Sequence, residues 1–62
     1  MNIVVGLHLS RPDGHTATVT AVSPTEVTIE IDEWTSPDNI VEPACVWTGH
    51  PSNIVNCWNI SA

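Results

Sequence analysis

The chain predicts an all-β protein, a small five-stranded antiparallel barrel or a two-hairpin sandwich formed by one domain over residues 1–62. Three observations lead there. Apolar residues recur at every second position and nowhere at helical spacing, Val, Ile and Thr dominate the runs, and Pro, Asp, Asn and Gly cluster between them.

Ile3, Val5, Leu7 and Leu9 alternate with Val4, Gly6 and His8, which predicts a first half-buried strand. Arg11-Pro12-Asp13-Gly14 has the residue order of a type I turn, with Pro presetting φ and Gly closing the turn. A second strand follows, with Ala17, Val19 and Ala21 set between Thr16, Thr18 and Thr20. Ser23-Pro24-Thr25-Glu26 offers Pro again at the second turn position, and Val27, Ile29 and Ile31 alternate with Thr28, Glu30 and Asp32 in a third strand. Opposed residues in an antiparallel pair share a face. That condition pairs Leu9 with Ala17, Leu7 with Val19 and Val5 with Ala21, then Ala21 with Val27, Val19 with Ile29 and Ala17 with Ile31. One face is then apolar, and the other carries the polar rows His8–Thr18–Glu30 and Ser10–Thr16–Asp32.

From Glu33 to Ala44 the alternation stops, and Pro37 and Pro43 break any ladder, so an irregular segment carrying Trp34 crosses an end of the sheet. Beyond it, residues 44–48 and 54–60 flank Gly49-His50-Pro51-Ser52-Asn53, a turn-forming cluster that predicts a second hairpin. Centred on Pro51, this hairpin sets Cys45 opposite Cys57 and Trp47 opposite Val55, with Val46, Ile54, Trp58 and Ile60 on the other face. Opposed Cα atoms lie about 4.5–5.5 Å apart, within disulfide range. Two buried free thiols, packing as small hydrophobes, are the alternative for Cys45 and Cys57. Both faces of such a hairpin are apolar. Its own sheet covers one, and the Trp34 segment or another chain must cover the other. Trp34, Val46, Trp47, Ile54, Trp58 and Ile60 are therefore the candidate interface residues, with the three indoles as large anchors for which the core and the lining of a ligand pocket are the alternative places.

Asp13-Gly14-His15-Thr16-Ala17-Thr18-Val19-Thr20-Ala21-Val22, followed by Glu26-Val27-Thr28-Ile29-Glu30-Ile31, resembles the turn–strand–turn–strand core of the SH3-like small barrels, including their KOW and Tudor-type members. The resemblance covers residues 3–32 and implies a five-stranded barrel. KOW modules have Gly where Ala17 stands and basic residues around the turn, so their nucleic-acid binding is not implied here. Tudor-type modules use an aromatic cage, whereas every aromatic of this chain lies at or after Trp34, outside the resembling segment.

Charge excludes more than any motif adds. One Arg, no Lys and seven carboxylates give a formal net charge of −6. Nucleic-acid affinity needs several Lys or Arg contacts to phosphates, and Arg11 alone cannot supply them. The same deficit argues against an anionic membrane surface, while the negative field favours cationic partners. No apolar run reaches the roughly 18 residues of a membrane span. Met1 to His8 lacks the cationic region of a signal peptide, so the expected location is cytoplasmic or within a virion.

Reactive chemistry finds little support. Five extended residues separate Cys45 from His50, roughly 16 Å at about 3.3 Å each, which is too far for a shared metal. Ser10, Asp13 and His15 sit around what reads as an exposed turn, and Glu30 and Asp32 point into open solvent where nothing tunes them for acid–base work. Neither a metal, a cofactor nor a catalytic residue is expected. A chain of this length also buries only about 60% of the surface its unfolded form exposes, so a partner subunit or a staple helps it fold. The functional expectation is a non-enzymatic protein–protein association module, self-associating as a homo-oligomer or serving as a structural or accessory subunit of a larger, phage-like assembly. The alternative is a small acidic inhibitor or ligand-sequestering protein of the anti-defence kind, holding its ligand against the Trp residues.

Overall fold

A computed structural model describes residues 3–61 and is all-β apart from one short helix. Strands β1 (His8–Ser10), β2 (Thr16–Val22) and β3 (Val27–Ile31) form the expected meander. Leu9 pairs with Ala17, Ala17 with Ile31 and Val19 with Ile29, and Thr18 joins His8 to Glu30 on the opposite face. The alternation fixes this register, because a one-residue slip would turn every apolar side chain outward.

Two details of the register depart from expectation. A bulge between Val19 and Ala21 sets Ala21 opposite Thr28 and Val22 opposite Val27, displacing the Ala21–Val27 pair. At the start, Gly6 takes φ +90°, its N–H donates to the Val19 carbonyl at 2.8 Å, and Leu7 N–H turns back to the Val4 carbonyl at 3.1 Å. The chain bends away there, so Val5 never reaches Ala21 and stays exposed.

Residues 33–44 are more ordered than the sequence suggests. Strands β4 (Trp34–Thr35) and β5 (Val41–Glu42) make a small separate antiparallel pair, Trp34 opposite Glu42. Its turn is closed by Ser36, whose Oγ accepts from Ile40 N–H at 3.1 Å, with Asn39 at φ 63°.

The second hairpin does not form. Strand β6 (Cys45–Gly49) pairs with β3, strand β7 (Asn59–Ser61) pairs with β1, and residues Pro51–Cys57 between them are helix α1. The sheet order is β6-β3-β2-β1-β7. With every neighbour antiparallel, β6 and β7 run in the same direction on opposite edges, and codirectional strands require a crossover rather than a hairpin. Helix α1 supplies it. Pro51 occupies its first turn, where a missing N–H costs nothing, and His50 caps it by accepting from Ser52 N–H at 3.1 Å.

Helix α1 brings Ile54, fully buried, onto the apolar face formed by Leu9, Ala17, Val19, Val27 and Ile29, and Trp58 completes this core. Each of the larger side chains contributes roughly 1.5–3 kcal/mol on burial. The edge strands β6 and β7 do not pair with each other, so the sheet is open rather than a closed barrel. Among the described residues, no helix is long and apolar enough to cross a membrane.

Candidate functional site

The β1–β2 turn carries an arrangement that sequence reasoning missed. His15, expected to be solvated, is only 9% exposed. Its ring stacks on Trp34, centroids 4.2 Å apart and planes at 25°, and its Nε2 lies 3.1 Å from Glu42 Oε2. Trp34 and Glu42 face each other across β4 and β5, so one imidazole fixes that hairpin to the main sheet. On its other side, Nδ1 lies 2.8 Å from Asp13 Oδ1 but out of line for a hydrogen bond, which makes that contact electrostatic. Asp13 Oδ1 instead accepts the His15 backbone N–H at 3.0 Å. That bond, then the His15 ring and Arg11, hold the Asp13 carboxyl below its ordinary value.

Glycine is required at the neighbouring turn position. Gly14 has φ +101°, and a Cβ there would lie 2.8 Å from Trp34 Nε1. The indole therefore lies directly over the glycine. With one ring nitrogen bonded to Glu42, the other buried beside Asp13 and an indole on its face, His15 is built as a clip rather than as a base open to substrate.

Arg11, the chain's single cation, leaves β1 and lays its guanidinium over Trp58, 4.6 Å from the ring centroid. Its Nε is 3.5 Å from Asp13 Oδ2, a loose pair. Arg11, Ile31, Trp47, Asn53, Cys57 and Trp58 line a cleft of about 170 Å³ between the end of the sheet and α1. Among the described residues, no cluster of His, Cys, Asp and Glu is arranged to hold a metal ion.

The six candidate interface residues separate into different environments. Ile54 and Trp58 belong to the core, Ile60 packs against it beside Leu9, and Trp34 is half-buried on His15. Val46 and Trp47 lie on the edge strand β6, and Ile60 on the opposite edge strand β7. Val46 is 68% exposed on the polar face, opposite Glu30, and Trp47 is half-buried on the core face, opposite Ile29. Cys45 and Cys57 are free and exposed, with Cys45 paired to Ile31 on β3 and Cys57 ending α1. The face-to-face placement of the thiols, and with it the reason for a disulfide, falls with the hairpin. Both thiols were also expected to be buried if unbonded, and they are not.

β6 is an edge strand of the sheet, with three of its five residues exposed. One side bonds β3, and no other backbone hydrogen bond among the described residues involves Cys45–Gly49. Cys-Val-Trp-Thr-Gly contains no charge and no proline. Comparison with known protein families, with curated proteins and with solved structures finds no match.

Proposed function

We propose that the protein is a non-enzymatic association module, a structural or accessory subunit of a larger assembly, and that β6 is its docking strand. The observation that carries this reading is the bare edge at Cys45–Gly49. Natural sheets protect such edges with charge, proline, bulges or cover, because an unpaired row of N–H and C=O groups accepts another strand. None of the first two is present in this strand, and Val46 and Trp47 place apolar surface on its two faces. The proposal includes an SH3-like architecture, in which the open sheet with α1 joining its edge strands is an incompletely closed small barrel. The strong negative charge then sets partner preference toward cationic or neutral surfaces.

The test is the size of the complex that holds the chain in an extract of its native source. The unmodified chain is expected to migrate well above the mass of a single copy, and a Val46→Lys/Thr48→Lys variant with an unchanged melting temperature is expected to migrate as the free chain. Migration of the unmodified chain at its monomer mass would refute the association reading.

A further inference from the structure

We propose that the cleft between α1 and the end of the sheet is a binding site for a small uncharged compound of one aromatic or heteroaromatic ring that carries a carbonyl oxygen. The site goes beyond the association reading and does not depend on it. Four elements build its wall: Arg11 follows β1, Ile31 ends β3, Trp47 is the middle of β6, and Asn53, Cys57 and the C-cap Trp58 belong to α1. The large side chains are held in place by the fold itself. The Trp47 indole rests on Gly49, where a Cβ would overlap its ring, and Trp58 is built into the core. Arg11 stacks its guanidinium over Trp58, and its Nε is buried without a hydrogen-bond partner. A wall already ordered loses little rotamer freedom when a ligand enters.

Size and charge define the occupant. At about 170 Å³ the cleft is slightly larger than the apolar cavity of about 150 Å³ that accepts benzene in another protein. One ring with a small substituent fits, whereas drug-sized ligands need pockets of about 300 Å³ or more. Two indoles, Ile31 and the Cys57 thiol give such a ring its apolar contacts, which leaves Arg11 and Asn53 as the polar groups of the wall. Arginine has N–H donors and no acceptor, and the asparagine amide adds two donors, so the wall is matched by an acceptor oxygen. A cation would meet the Arg11 guanidinium. An anion on Arg11 would stand beside the Asp13 carboxylate, whose Oδ2 is 3.5 Å from Arg11 Nε, in the field of a chain of net charge −6. A neutral carbonyl accepts the donated bond without either repulsion. A single ring makes few contacts, so dissociation is on the order of 1 mM.

The three indole N–H resonances of the purified full chain, followed by NMR, test the site. Trp34, stacked on His15 outside the cleft, is the internal reference. Benzamide raised to about 10 mM, roughly ten times the expected dissociation constant, should shift Trp47 and Trp58 along a saturating curve and leave Trp34 unmoved. Benzoate and benzylamine, an anion and a cation of nearly the same size, should bind several-fold more weakly. Cys57→Phe, which sets a ring of the protein's own into the cleft from an exposed position, should abolish the shifts while the Trp34 resonance keeps its place. Arg11→Met, which keeps the length of the side chain and removes its donors, should weaken benzamide binding several-fold. Shifts that do not saturate, equal movement of all three indoles, benzoate or benzylamine binding as tightly as benzamide, or benzamide binding undiminished by either substitution overturns the site. Should a variant fail to fold, the ranking of the three probes on the parent chain decides. The cleft lies on the core face of β6 and the docking edge points away from β3, so migration at the monomer mass in extract would refute the association reading and leave this site standing.

Discussion

At the scale of single residues, Asp13 has a measurable signature. Its carboxyl is lowered from the ordinary value of 3.8, chiefly by accepting the His15 backbone N–H, then by the His15 ring, with Arg11 adding to it. A carboxyl with a lower pKa folded than unfolded stabilises the fold fully above its unfolded pKa and loses that stabilisation as pH falls through its folded pKa. The window is therefore below about pH 4. Asp13→Asn keeps an acceptor for the His15 amide and removes the charge. Thermal melts should show the variant less stable than the parent by a constant amount above that window, with the difference shrinking to nothing below it. A difference that persists undiminished at low pH would assign the role of Asp13 to shape rather than charge. His15 itself was invisible to pattern reading, because its burial depends on a hairpin that Trp34 and Glu42 form far along the chain.

At the scale of elements, α1 holds the open sheet together, and Ile54 is its only buried residue. Removing three carbons from a fully enclosed aliphatic side chain costs about 2–5 kcal/mol. A chain of this length has a total stability of only about 3–9 kcal/mol. Ile54→Ala should thus lower the melting temperature by ten degrees or more, at about 4–8 °C per kcal/mol, or unfold the protein outright. The adjacent Val55, half-exposed on the same helix, is the control, and Val55→Ala should stay within about 0.5 kcal/mol of the parent. Equal effects from the two would place the helix elsewhere.

The strands of the meander were legible for the reason the helix was not. Val27, Ile29 and Ile31 alternate over one face, and two-residue periodicity survives any tertiary context. Seven helical residues span barely two turns and give no comparable period, while Gly49-His50-Pro51-Ser52 reads equally as a turn or as a capped helix start with Pro in its first turn. Strand content near 45–49 and 59–61 was recovered, but pairing was not. Nothing local distinguishes two strands joined by a hairpin from two that sit on opposite edges of a sheet. The candidate site inherited that error, since the hairpin put Ile54 and Trp58 on one face with Val46, whereas helix α1 and its C-cap turn both into the core and Val46 stays exposed on β6.

At the scale of the whole molecule, seven carboxylates face a single Arg. In most domains added salt weakens attractive surface pairs about as much as it relieves repulsion. Here the attractive side consists of the loose Arg11–Asp13 contact and the contacts of His15 with Asp13 and Glu42. The loose Arg11–Asp13 pair contributes little, and each His15 contact sets a buried ring against a carboxylate that is about half exposed. Self-repulsion of a net charge of −6 is left as the larger long-range effect, and it opposes the compact state. Raising sodium chloride from about 0.01 M to about 0.15 M shortens the screening length from roughly 30 Å, comparable to the 38 Å length of the molecule and beyond its 18 Å width, to roughly 8 Å, well within both. The melting temperature should rise by a few degrees across that range. Chloride is the appropriate anion, because sulfate would stabilise by exclusion from the surface regardless of charge. A melting temperature that falls with salt would mean that the His15 clip and the Arg11 pair outweigh the repulsion among all the remaining carboxylates.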